Sequence, residues 1–320
     1  MLNSKLGVAA VAACLVAASL ISPNHAGAVT TTACTILPRD NVWHSAVTAL
    51  PVHKRSATYV RSIGASSHLH PDFGSGLIGG EPFGIPITVV TRSAPAVRIS
   101  FQYASESDRG LYRIPANALV EGGSHSTGDR HVIVWDKATC TAYELWNAHR
   151  HRDGSWTAGS GAIFNLRSDA LRPAGWTSAD AAGLPILAGL VRYREVASGH
   201  IDHAIRMTVP RTDLAYLWPA RHFAAYGHST ALPPMGLRLR MKGSVSLAGL
   251  PPQARVVAQA LKTYGAIVAD NGSAWFISGM QSPNWNNDQL NALKRSTGND
   301  FQAVDESGLQ ISANSGRARG

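Results

Sequence analysis

The sequence predicts a mainly β protein, an antiparallel β-sandwich of jelly-roll type with a few peripheral α-helices. Two observations carry that expectation: many short segments alternate apolar and polar residues, and 30 glycines and 17 prolines punctuate the chain. A third is an absence. Nowhere does a strand pattern alternate with helical patterns as in a βαβ protein, so a doubly wound parallel sheet is not expected.

The first stretch reads as an address, not as part of the fold. Lys5 supplies a short positive region, residues 6–21 are nearly all apolar, and Ala26-Gly27-Ala28 has the small-residue pattern of a cleavage site. Val11-Ala12-Ala13-Cys14 resembles a lipobox, but the apolar run continues past Cys14 and argues against cleavage there. Residues 1–28 are therefore expected to be a signal peptide, 29–312 a single β-rich domain and 313–320 a disordered tail. No later apolar run reaches the roughly 18 residues of a membrane helix, so the expected location is secreted or periplasmic, without a transmembrane segment.

Residues 57–63 suit a short helix ended by Gly64, and 84–91 and 97–103 suit strands. Residues 128–146, GDRHVIVWDKATCTAYELW, read as a β-hairpin, with Val132 to Trp135 as a β-branched and aromatic run and Asp136 to Thr139 as the turn. A four-residue loop there sets Trp135 opposite Cys140, Ile133 opposite Ala142 and His131 opposite Glu144. An imidazole then stands beside a carboxylate on a mostly apolar face, as a structural pair or a catalytic one. Residues 156–166 resume as a strand, and 176–183 suit a short helix capped by Thr177 or Ser178 and ended by Gly183.

Residues 201–209 alternate most clearly. Ile201, His203, Ile205, Met207 and Val209 share one face, which turns His203 inward as a core residue or a base lining a cleft. Residues 235–242 alternate too, with Arg238 and Arg240 on a basic face, solvated or lining a groove for an anionic chain. Residues 251–265 give the strongest helix, with a proline start and Gly265 at its end. Residues 267–269 and 274–277 read as strands around the turn Asp270-Asn271-Gly272, and 287–296 as a last helix.

The extended spacing of His68, His70 and Asp72 puts three potential ligands on one face, a geometrically possible metal triad with no second cluster to complete it. No P-loop, G-x-G-x-x-G, G-x-S-x-G or H-E-x-x-H occurs, so no cofactor is expected. The formal charge of +9 becomes +8 without Lys5, and it is spread without a basic run. Spread charge favours solubility and acidic partners over nucleic acid, for which no basic helix or basic-aromatic motif exists. Without Cys14, Cys34 and Cys140 remain, and an oxidising compartment would join them.

Taken together, HLHPDFG, GDRHVIVWD, AGSGAIFNLRSDALRPAGWTSADAAGLPIL, HAIRMTVPRT, WPARH and ADNGSAW resemble a group of secreted bacterial β-rich proteins, most specifically over residues 158–187. That resemblance implies an exported β-rich fold and carries no activity. The functional expectation is a secreted carbohydrate-active enzyme, a glycoside hydrolase or polysaccharide lyase, acting on a polysaccharide or other extracellular glycan. Trp135 and Trp146 would stack sugar rings, and Arg238 and Arg240 would contact an acidic chain. Glu144 would be one carboxylate, with Asp129, Asp180 or Asp270 as the second, and His131 or His203 would serve as base in an elimination. The alternatives are a non-catalytic glycan-binding or cell-surface protein and a metal-dependent hydrolase using His68, His70 and Asp72.

Overall fold

In the computed structural model of the protein, which describes residues 1–2, 33–92 and 94–320, residues 132–146 form the expected hairpin. The expected signal peptide falls almost wholly outside the described residues. The chain divides into a short unit, Met1–Ala33, and a folded unit, Cys34–Gly320, to which everything below refers. That unit is β-rich, with 27% of residues in strands and 16% in helices. Among the described residues no helix is long and apolar enough to cross a membrane.

The hairpin strands Val132–Asp136 and Thr141–Trp146 are the middle of a four-stranded sheet, flanked by Ile87–Val90 on one side and Ser160–Asn165 on the other. Both faces are covered. Val132, Val134, Tyr143 and Leu145 enter an apolar cluster with Tyr112, Ile114 and Trp156, while Ile133 and Ala142 enter the main core. The loop has four residues, as expected, but it starts one residue later: Asp136 pairs with Thr141. The cause is local. Asp136 Oδ1 accepts the N–H groups of Ala138 and Thr139, closing an Asx turn, and Cys140 sits at φ +55° with its sulfur bonded to Cys34. Glu144 thus stands opposite Ile133, and His131 keeps the same face two residues along, because the displacement conserves parity.

The second large sheet has six strands, in the order His70–Asp72, Phe276–Ser278, Ile205–Val209, Ala266–Asn271, Arg238–Met241 and Phe301–Ala303. Its inner face packs on the helix Pro252–Thr263, which buries Ala254, Val257, Ala258, Ala260 and Leu261. Pro252 opens that helix and Gly265, at φ +71°, follows its end, because a Cβ there would meet the Leu239 carbonyl at 2.5 Å. A third, smaller sheet joins His149–Arg150, Trp156–Ala158 and Ile99–Phe101.

Four expectations change. The sheets are mixed, not purely antiparallel: Ile87–Val90 runs parallel to Val132–Asp136, and Ile205–Val209 to Ala266–Asn271, each pair joined by a long crossover. Asp270-Asn271-Gly272 is no hairpin turn, because Ile205–Val209 inserts between the two strands it was expected to connect. Residues 176–183 are not helical, since Ser178 Oγ accepts the Asp180 N–H and bonds the Asp180 and Leu184 carbonyls instead of capping. Residues 313–320 are ordered. The Trp218 indole donates to the Ser315 carbonyl, Arg221 donates to Asn314 Oδ1, and Ala318 is buried. The expected helix at 57–63 is present as Ser56–Ile63 with Gly64 after it, and the last helix is Asn287–Asn291 continued by a 3-10 turn.

Candidate active site

A cleft of about 330 Å³ opens where Trp146, at the end of its strand, meets the segment around Asp180, the loop at 222–224 and the end of Ala266–Asn271. Its charged lining is Glu106, Asp129, Asp180 and Asp270, with no lysine or arginine. Tyr103 and Trp146 form one wall, their rings 6.2 Å apart, and His222 stacks on Phe223 at the other.

Beneath the carboxyl groups lies Arg206. The alternation of its strand puts Arg206 on the face opposite Ile205 and Met207. That face is covered as well, so the guanidinium is buried. It donates Nε and Nη2 to the two oxygens of Asp180 at 3.0 and 2.9 Å, Nη2 also to Asp270 Oδ2 at 3.1 Å, and Nη1 to Ser278 Oγ at 2.8 Å. Burial opposes its charge, but Asp180 and Asp270 more than offset that and hold its pKa above the usual arginine value. Asp180 is 1% exposed and serves as the anchor of the fork.

Asp270 differs from Asp180 in one respect that matters: its side chain is 24% exposed, against 1% for Asp180. Burial and the neighbouring Asp180 charge push its pKa up to about 7, against the pull of Arg206. A carboxyl group whose pKa is raised in this way suits a proton donor. Asp129 lies exposed at the mouth, where its Oδ1 accepts the indole N–H of Trp146 at 3.2 Å. One wall of the cleft and one carboxyl group are therefore fixed together.

The expected pair of His131 and Glu144 is not hydrogen-bonded. His131 Nδ1 lies 2.5 Å from Glu121 Oε2, and Nε2 lies 3.2 Å from the Ala179 carbonyl. Two acceptors on one ring suit an imidazolium. Burial alone would lower the pKa of His131, but Glu121 raises it to about 9, and Glu121, despite its own burial, is held below the usual carboxylate range by His131. Glu144, fully buried, accepts the N–H groups of Ile186 and Leu187 at 2.8 and 2.9 Å, where the short helix Ile186–Gly189 begins. Burial pushes its pKa up to about 7, with those two N–H groups opposing. It is a carboxyl group that anchors the start of that helix.

The remaining candidates are dispersed. His203 is buried between the Ala204 carbonyl and Glu195, with burial and Arg192 lowering its pKa. Arg238 and Arg240, expected on a solvated or ligand-lining face, are buried under residues 42–48: Arg238 donates to the Val42 and Ser45 carbonyls, Arg240 to those of Val47 and Thr48. Arg238 Nε also lies 3.2 Å from Glu306. The segment covering that strand has carbonyls to satisfy, and the arginines satisfy them. His68 bonds the Lys294 carbonyl and His70 stacks on Phe276 at 4.0 Å, and no group of three or more His, Cys, Asp or Glu among the described residues is placed to hold a metal ion. Trp135 lines a different cleft from Trp146.

Cys34 and Cys140 form the expected disulfide, with Cα atoms 5.3 Å apart. Sequence reasoning did not assign roles to Arg206, Glu121, Tyr103 or His222. For Arg206 a signal existed, since an arginine in the middle of a strand so apolar needs a buried acid. Comparison with protein-family models, curated proteins and solved structures gives no match to this chain.

Proposed function

We propose that the protein is an exported glycoside hydrolase that cleaves a polysaccharide in the cleft between Trp146 and Asp270. The observation that carries this is Asp270, a carboxyl group facing the cleft with its pKa pushed up to about 7 beside a second, exposed carboxyl group, Asp129. Glycosidic cleavage needs such a pair, one acid to protonate the leaving oxygen and one carboxylate to activate water or attack the sugar. Asp270 is the general acid and Asp129 the base or nucleophile. Arg206 and Asp180 are positioning residues, holding Asp270 at the floor. Tyr103 and Trp146 offer ring faces on which a sugar can stack, an aromatic wall with Asp129 locked to it.

Elimination from a uronate chain fits less well. The cleft is lined by four carboxyl groups, of which only Asp180 is buried, and by no lysine or arginine, His131 has its proton held by Glu121, and His203 is buried between Glu195 and the Ala204 carbonyl. A neutral or amino-bearing glycan meets no repulsion there. Export is part of the proposal, resting on the leader pattern and on a disulfide, which persists in oxidising compartments.

The test is release of reducing ends by the chain lacking residues 1–28, over bacterial, plant and fungal polysaccharides. At least one neutral or amino-bearing glycan should be cleaved, and Asp270→Asn should lower turnover about a hundredfold or more while binding persists. Binding through Trp146 without turnover by the parent on any glycan would make the protein a glycan-binding module instead.

A further inference from the structure

A second cleft lies at the far end of the hairpin, and nothing in the proposed cleavage site uses it. It is the larger of the two, about 710 Å³. Its walls are apolar side chains, among them Ile36, Ile87, Val89, Trp135, Tyr193 and Met280. Val89, in the edge strand Ile87–Val90, is 47% exposed and faces this cleft. The lining includes four cations, Arg39, Lys137, Arg192 and Arg194, against two acids, Glu195 and Asp202. Each acid has its own arginine: Asp202 pairs with Arg39 at 2.5 Å and Glu195 with Arg192. Lys137 and Arg194 make no ion pair among the described residues, and the Lys137 ammonium lies 4.1 Å over the Trp135 ring. A largely apolar pocket of this size with two uncompensated cations in its lining is complementary to one kind of ligand.

We propose that this cleft binds an amphipathic organic anion, a carboxylic acid with a medium-length aliphatic body. The body lies against Val89, Ile87 and Trp135, and the acid group faces Lys137 and Arg194. This site is independent of the glycan cleft, whose charged lining has the opposite sign.

Calorimetry with dodecanoate below its micellar concentration tests this on the chain lacking residues 1–28. Saturable binding to one site is expected, at least tenfold tighter than that of dodecanol and weakened by salt. The double variant Lys137→Glu and Arg194→Glu should weaken dodecanoate at least tenfold and abolish its advantage over dodecanol. Val89→Asp, at an exposed position of the apolar wall, should weaken both ligands, and melting curves of all variants should match the parent. The proposal is overturned if dodecanoate does not bind, if it binds equally to parent and both variants, or if dodecyltrimethylammonium binds as well. It is also overturned if an oligogalacturonate binds where dodecanoate does not. A parent dimer by light scattering that Val89→Asp dissociates would make this face a contact between copies and overturn it too.

Discussion

Glu144→Gln separates a structural carboxyl group from a catalytic one. Glu144 accepts two backbone N–H groups, from Ile186 at 2.8 Å and Leu187 at 2.9 Å, inside a core that admits no water to its side chain. Glutamine keeps one acceptor and turns an amide NH₂ toward the other N–H. A buried N–H left without a partner costs about 1 to 3 kcal/mol. Part of that is returned, because burial pushes the carboxyl pKa up to about 7 and the charged form is itself costly above it. A net loss of about 1 to 2 kcal/mol remains, which for a domain of this size lowers Tm by about 2 to 8 °C. Thermal unfolding followed by circular dichroism measures it, alongside turnover on whichever glycan the parent cleaves. Glu144→Gln should have a lower Tm with turnover within about twofold of the parent. An unchanged Tm together with a hundredfold loss of turnover would refute it and return Glu144 to the chemistry.

Three further outcomes are expected. Arg206→Leu leaves Asp180 buried and unpaired, so it should cost about 3 to 5 kcal/mol, and adding Asp180→Asn should restore part of the loss; equal stability of the single variant and the parent would sink the network. Cys34→Ser opens a loop with a sequence separation of 106, worth up to about 5 kcal/mol on the chain-entropy model, and thiol titration of the denatured chain lacking residues 1–28 should find no free thiol, where two would contradict the bridge. Stability should fall as pH rises from about 6 to about 9. Burial raises Glu144 and Glu306 from 4.5, and Asp270 from 3.8, each to about 7, while Glu121 raises His131 to about 9 against the effect of burial. Each raised group holds its proton more tightly when folded, so its stabilisation is complete below the unfolded value and is lost as pH climbs through the folded one. Glu121, held low, acts in the opposite sense only in acid. A Tm that rises across that window would show the folded-state values to be wrong.

Local pattern was enough for the elements whose fate is decided locally. The hairpin at 132–146, the helices Ser56–Ile63 and Pro252–Thr263 and the disulfide follow from β-branched runs, a proline start, glycines after the helix ends and two remaining cysteines. Strand order was not legible, because Ile205–Val209 enters between Ala266–Asn271 and Phe276–Ser278 from far away in the chain, and nothing near Asp270-Asn271-Gly272 announces it. The same insertion explains the site. It carries Arg206 under Asp270 and against Asp180, from 64 and 26 residues away, and so turns an expected turn residue into a cleft acid. Parity, by contrast, could be read: His131 and Glu144 do share a face, and only the one-residue displacement of the turn at Asp136 gave each a different partner.

The claim that Asp270 donates the proton is tested most directly by the pH dependence of kcat/KM on a cleaved glycan, for the parent and for Asp270→Asn. A general acid with its pKa pushed up to about 7 requires the parent profile to fall as pH rises through about 7. The variant should lose about a hundredfold or more at the optimum, lose that alkaline limb, and keep its melting temperature, since asparagine still accepts from Arg206. A variant that turns over at the parental rate with the limb unchanged would contradict the assignment.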